Sequence, residues 1–139
     1  MTPAPLKDRA ALLAQVLILE DFPRPDIART LSPNGRAHWT AKRKARLSVI
    51  DYVVVHAIKS GLRRMPAPVQ LYLTYIMPDR RTRDQDNYST GVTKAVIDIL
   101  VKGQWLDGDS TDLLRLAPVE VRVEKGRRAL ELRFEVGAA

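Results

Sequence analysis

The chain has 139 residues, enough for one hydrophobic core and too few for two. Apolar residues make up 45% and charged residues 28%, a balance that buries a core and excludes disorder throughout. Lys and Arg outnumber Asp and Glu by 23 to 16, and the resulting charge of +7 points to a polyanionic partner, either nucleic acid or an anionic membrane surface. There is no cysteine, so disulfides, Cys-ligated zinc and a thiol nucleophile are excluded. With only two histidines, His38 and His56, any metal would be a hard cation held by carboxylates.

Residues 1–14 read as a loose N-terminal arm, Pro-rich and charged as far as Arg9. Ala10 to Leu19 is apolar but too short to span a membrane. It lacks a small-residue cleavage site and reads as structure, with the protein expected in the cytoplasm. Gln15 to Phe22 is dense in β-branched and apolar residues and predicts a first strand. Prolines 23, 25 and 33 mark a loop to Trp39, with a turn at Ser32-Pro33-Asn34-Gly35.

Thr40 is the expected N-cap of a long helix ending at Gly61. Its apolar stripe is read as Leu47, Ile50, Val54, Ala57 and Ile58. Trp39 is expected as a plug in the core, with stacking on an unpaired base as the alternative, and His56 as a packing residue. The first turns hold Lys42, Arg43, Lys44 and Arg46 and no acid. Cations there oppose the helix dipole, which suggests a use for positive charge at that end.

Val69 to Met77 alternates and predicts a second strand, closed by Pro78. A charged loop, Asp79 to Asn87, leads into a second helix from about Tyr88 to Lys102, with Val92, Ala95, Val96, Ile99 and Leu100 as its apolar stripe. Asn87 is expected to cap it and Gly103 to stop it. Gln104-Trp105-Leu106 reads as a short strand. Leu113 to Val123 and Ala129 to Val136 then alternate, joined as a hairpin by Lys125-Gly126-Arg127, with Pro118 marking an edge position. The order β-α-β-α-β-β describes one domain over 1–139, a mixed α/β (α+β) fold with a single-layer sheet and both helices on one face.

The most informative local feature is Asp84-x-Asp86-Asn87. In extended backbone, residues i and i+2 point to one side, so the two carboxylates share a small volume and need a cation between them. Mg²⁺ suits such a pair, completing its shell with water and a phosphate oxygen. Arg80, Arg81 and Arg83 lie just before the pair and Lys94 follows it on the helix. Carboxylates, a cation and a basic rim form the pattern of metal-assisted phosphodiester hydrolysis. Read alone, the same motif also describes a solvated turn, as does Asp107-Gly108-Asp109.

Several anchors occur together and in order. They are Ser32-Pro33-Asn34 with Trp39, Arg83-Asp84-Gln85-Asp86-Asn87, Lys94 with Asp98 four residues on, then Gly103, Trp105 and Asp107-Gly108-Asp109. From Ser32 to Asp109 the chain resembles the RusA family, the Holliday-junction resolvases (crossover junction endodeoxyribonucleases) of phages and prophages. The resemblance implies a homodimer that binds four-way DNA and nicks it in pairs with Mg²⁺, Mn²⁺ substituting, in DNA recombination and repair. No organic cofactor and no membrane partner are expected. It implies Asp84, Asp86 and a downstream aspartate as metal ligands, and Lys94 at the scissile phosphate.

Two departures leave alternatives open. Lys94 lies farther from Asn87 than in compact members, and Gly108 splits an acidic pair that is usually adjacent. Spacing from Lys94 and Asp98 favours Asp109 as third ligand, with Ser110 and Thr111 orienting it, while alignment through Trp105 favours Asp107. Lys42, Arg43, Lys44, Arg46, Arg80, Arg81 and Arg83 are the expected DNA contacts. The competing readings are a metal nuclease without junction preference, a non-enzymatic DNA-binding module, and an RNA-binding or antitoxin-like protein.

Overall fold

The computed structural model describes residues 14–31, 38–80 and 91–137. Strand β1 (Ala14–Glu20) is followed by helices α1 (Pro25–Leu31) and α2 (Trp39–Lys59), strand β2 (Val69–Met77), helix α3 (Thr93–Lys102), and strands β3 (Leu114–Leu116), β4 (Glu120–Val123) and β5 (Ala129–Val136). The mixed sheet runs β1-β5-β2-β3, and β4 pairs with β2 as well. The strands β1, β5 and β2 are antiparallel neighbours, while β3 and β4 lie parallel to β2.

Period-2 alternation sets the register. Leu17 and Leu73 both stand opposite Leu132, and Leu19 and Tyr75 both stand opposite Leu130, so one face of the sheet is continuously apolar. Ala28, Val49, Val53, Val96 and Leu100 from the three helices pack against it in a single core cluster. The opposite face carries Gln70, Tyr72, Thr74, Glu131 and Arg133, none of them buried, with the Arg133 guanidinium 4.4 Å from the Tyr72 ring centre. This is the mixed single-layer architecture expected, with α1 as an additional short helix.

Several local expectations are corrected. In α2 the buried residues are Ala45, Val49, Val53 and Ala57, whereas Leu47 is 52% and Ile58 66% exposed. This helix is apolar on more than one side, and its small and β-branched set is the one turned to the core. Its N-cap is His38, not Thr40, and the His38 Nδ1 accepts from the Thr40 N–H at 3.2 Å. Trp39 is 67% exposed and plugs no core.

Leu113 to Val123 is interrupted around Pro118 into β3 and β4. No hairpin joins β4 to β5, because β5 pairs on the other side of β2. The turn at Gly126 instead crosses the end of β2, with the Glu124 and Gly126 amides donating to the Met77 and Pro78 carbonyls. Leu106 makes only an isolated bridge with Met65. At the end of α3 the residue with positive φ is Gln104 (67°), while Gly103 has φ −78°. A Cβ at Gly103 would stand 2.3 Å from the Trp105 ring, so close approach requires the glycine there.

Candidate functional site

Helix α3 begins beside the central strand. The Tyr75 and Thr93 hydroxyls share a buried hydrogen bond of 2.7 Å, which ties the first residue of the helix to β2. Lys94, the next residue, is exposed, and Asp98 lies one turn on along the same side. Both residues form a ridge between two recesses. On one side a cavity of about 350 Å³ is lined by Thr93, Lys94, Ile97, Asp98, Asp109, Leu114 and Leu116. On the other side a groove of about 620 Å³ separates α3 from α2, with Arg46, Ile50 and Val54 facing Lys94, Asp98 and Lys102.

The two downstream aspartates diverge at Gly108. Asp107 is turned toward residues 64–67, where its Oδ1 accepts from Arg64 Nη2 at 2.8 Å and its Oδ2 from the Ala67 N–H at 2.9 Å. The Ala67 amide, followed by Arg64, holds its pKa below the usual carboxylate range. It lines a separate recess with Arg64, Val101, Gln104 and Leu106. Asp109 instead shares the recess of Lys94 and Asp98. A Cβ at Gly108 would stand 2.6 Å from Leu113 Cδ1, the tip of a partly exposed side chain that can turn aside.

Ser110 does not orient Asp109, because its hydroxyl donates to Asp112 Oδ1 at 2.7 Å. That bond holds the Asp112 pKa down. Among the described residues, no ion pair joins Lys94 to Asp98, so the simplest structural role for the lysine is not realised.

Asp84, Asp86, Asn87, Arg81, Arg83 and the Ser32-Pro33-Asn34 turn lie outside the described residues. Among the described residues, no group of three His, Asp or Glu side chains stands ready to hold a metal. The recess contributes two carboxylates, from Asp98 and Asp109, without sulfur or imidazole. These are hard oxygen donors, which fit Mg²⁺ or Mn²⁺ in kind and would need further carboxylates to complete a site.

The basic residues of α2 fall around its first turns. Arg43, Lys44 and Arg46 are exposed, Lys42 is half-buried, and no acid stands in the first turn. Arg80 is exposed at the end of the segment after β2. His56 stacks on Tyr52 with ring centres 4.0 Å apart and places Nδ1 2.8 Å from the Tyr52 carbonyl, a packing role as expected. No helix among the described residues is long and apolar enough to cross a membrane. The exposed indole of Trp39 departs from the expected core plug and agrees with the alternative, a surface ring beside four cations.

Comparison with known proteins found relatives but no matching family model. The chain is 36% identical over 100 residues to the crossover junction endodeoxyribonuclease RusA of Shigella sonnei, covering 70% of this chain and 75% of that protein. It is 32% identical over 82 residues to an uncharacterised protein of Xylella fastidiosa, covering 56% of this chain and 54%, about half the length, of that relative.

Proposed function

Since this chain belongs to the RusA family, we propose that it is a structure-selective DNA endonuclease that resolves four-way junctions by paired nicks in recombination and repair, with Mg²⁺ as its cofactor. The observation that carries the reading is the meeting of Lys94, Asp98 and Asp109 around one recess at the head of α3. That helix follows the stretch of sequence containing Asp84 and Asp86.

In this reading Asp84, Asp86 and Asp109 hold the metal, and Asp107 remains with Arg64 and Ala67. When bound, the cation supplies an acidified water and neutralises charge on the phosphoryl oxygens. Lys94 places its ammonium against the scissile phosphate, where it stabilises the added negative charge of the transition state. Asp98 lies one turn from Lys94 on the same ridge. Lys42, Arg43, Lys44, Arg46, Arg80, Arg81 and Arg83 bind flanking phosphates and fix the register of the DNA. Two opposed nicks require two such sites, so the active species is a homodimer whose two-fold axis matches that of the junction. The protein acts in the cytoplasm of a bacterial host, encoded by the cell or by a phage.

The test is incubation with a synthetic four-way junction and with duplex of the same sequence, with and without Mg²⁺. Symmetric nicks on the junction alone, dependent on Mg²⁺ or Mn²⁺ and lost in Lys94→Ala while binding persists, are expected. Sedimentation should find two protomers per junction. Equal cutting of duplex would identify a nuclease without junction preference. Binding without nicking in either metal would identify a DNA-binding module.

A further inference from the structure

Trp39 leaves most of a large apolar ring in water, although an indole of this size contributes strongly when buried. It is held in a defined place. It opens α2, and the neighbouring His38 ring lies 5.6 Å away at a tilt of 37°. His38 is itself fixed as the N-cap, its Nδ1 accepting from the Thr40 N–H and standing 3.0 Å from Thr40 Oγ1. The exposed indole is thus anchored through the backbone of the first turn.

The spacing of Trp39, Arg43, Arg46 and Ile50 places them along one stripe of α2. Arg46 and Ile50 already face Lys94 across the groove, so the stripe runs outward from the Lys94 ridge to Trp39. The seven-residue step from Trp39 to Arg46 spans about 10 Å of helix, roughly three nucleotide rises of a duplex strand. Every charged side chain from Trp39 to Arg46 is cationic. A flat apolar ring beside these cations suits a ligand that is flat and aromatic and carries phosphate. Bases within a duplex stack on each other and offer no free face, so the ligand is an unpaired base.

We propose that Trp39 is a stacking platform for an unpaired nucleobase, while Arg43 and Arg46 hold the phosphates between that base and the Lys94 ridge. This assignment rests on the junction-binding reading above.

The test uses four-way junctions carrying 2-aminopurine as an unpaired base at the branch, the same junctions fully paired, and plain duplex, all with Ca²⁺ in place of Mg²⁺. Wild-type protein should quench 2-aminopurine on binding. Trp39→Ala should abolish the quenching and weaken binding of the unpaired junction about tenfold or more, leaving duplex affinity unchanged. Trp39→Phe should restore most of both signals, which separates stacking from a general loss of the α2 terminus. Undiminished quenching and affinity in Trp39→Ala would overturn the platform, as would an equal loss on duplex and junction. Wild-type protein that binds duplex and junction alike, yet loses quenching with Trp39→Ala, would overturn junction selectivity while leaving the platform standing. Wild-type protein that binds neither DNA would overturn both.

Discussion

Substituting Gly103 by alanine tests the packing that delivers Asp109 to its recess. The added Cβ would stand 2.3 and 2.5 Å from two carbons of the Trp105 ring, and 3.2 Å from the Ile99 carbonyl oxygen. The carbonyl contact needs only a small adjustment, but the ring must move. The indole donates from Nε1 to the Leu62 carbonyl at 3.1 Å, which joins the C-terminal ends of α2 and α3. Overpacking of this kind costs about 1–3 kcal/mol, and a disturbed hydrogen bond costs about 1 kcal/mol more. Gly103 has φ −78°, so alanine is tolerated by the backbone and recovers about 0.4–1 kcal/mol through the unfolded chain. The net expectation is a loss of about 2 kcal/mol, which lowers Tm by roughly 7 °C for a chain of this length. Calorimetry or urea unfolding measures it directly. In a Trp105→Ala background the methyl meets no ring, and the same substitution should become neutral or stabilising, a coupling of about 2 kcal/mol. A Gly103→Ala protein as stable as wild type, or strict additivity with Trp105→Ala, would refute the argument.

Asp109→Asn should remove most Mg²⁺-dependent junction cleavage without lowering Tm, whereas Asp107→Asn should lower Tm and keep most cleavage, because Asp107 is engaged with Arg64 and Ala67. Paired nicking and melting assays check this, and the reverse order would assign the site to Asp107. Glu20, bonded to Arg127, has a pKa lowered from 4.5; those of Asp107 and Asp112 are lowered from 3.8. The unfolded chain therefore takes up these protons first. Their contribution is present above those unfolded values and is lost as pH falls, so Tm should hold near neutrality and fall from about pH 4.5 downward, with Glu20→Gln softening the decline. Neutralising Lys42, Arg43 and Lys44 together should flatten the slope of log K against log salt on duplex DNA by about 2–3, measured by fluorescence anisotropy. An unchanged slope would move the DNA-binding face away from α2.

The central strands were legible because alternation is read directly from sequence. Val69–Met77 and Ala129–Val136 begin and end where the pattern does. Helix α2 was legible as a helix, but its buried face was not. Leu47, Ile50 and Ile58 compete with Val49 and Val53 for the core, and only the placed helix shows that the smaller set is turned to it. The glycine turn after β4 has the same local chemistry whether it closes a hairpin or carries the chain over a third strand. The pairing was decided by β2, whose edge was already available to β4 in parallel register. In the site, spacing from Lys94 did select the aspartate that shares its recess. The exposure of Trp39 was readable only as the second alternative, because an indole beside a strong helix pattern reads first as core until the helix is placed.

The arrangement around β2 brings the cationic end of α2 and the head of α3 to one side of a shared groove. Both helices pack on the same face of the sheet, and β2 lies between them in the chain, reversing direction at each end. They therefore run the same way, with their C-terminal ends joined from Trp105 to Leu62 and their N-terminal ends at the opposite pole. The positive ends of both helix dipoles add to Lys42, Arg43, Lys44, Arg46 and Lys94 at that pole. Repulsion among these charges disfavours the folded chain by itself, yet it is relieved when a polyanion binds, so the same charges that strain the free protein favour its complex. Thr93 and Tyr75 hold the head of α3 against that repulsion through a buried bond to the most enclosed strand. Thr93→Val should therefore weaken catalysis through Lys94 more than it weakens binding, lowering kcat at nearly constant KM, with Thr93→Ser restoring both. A raised KM at nearly constant kcat would instead assign Thr93 to DNA binding.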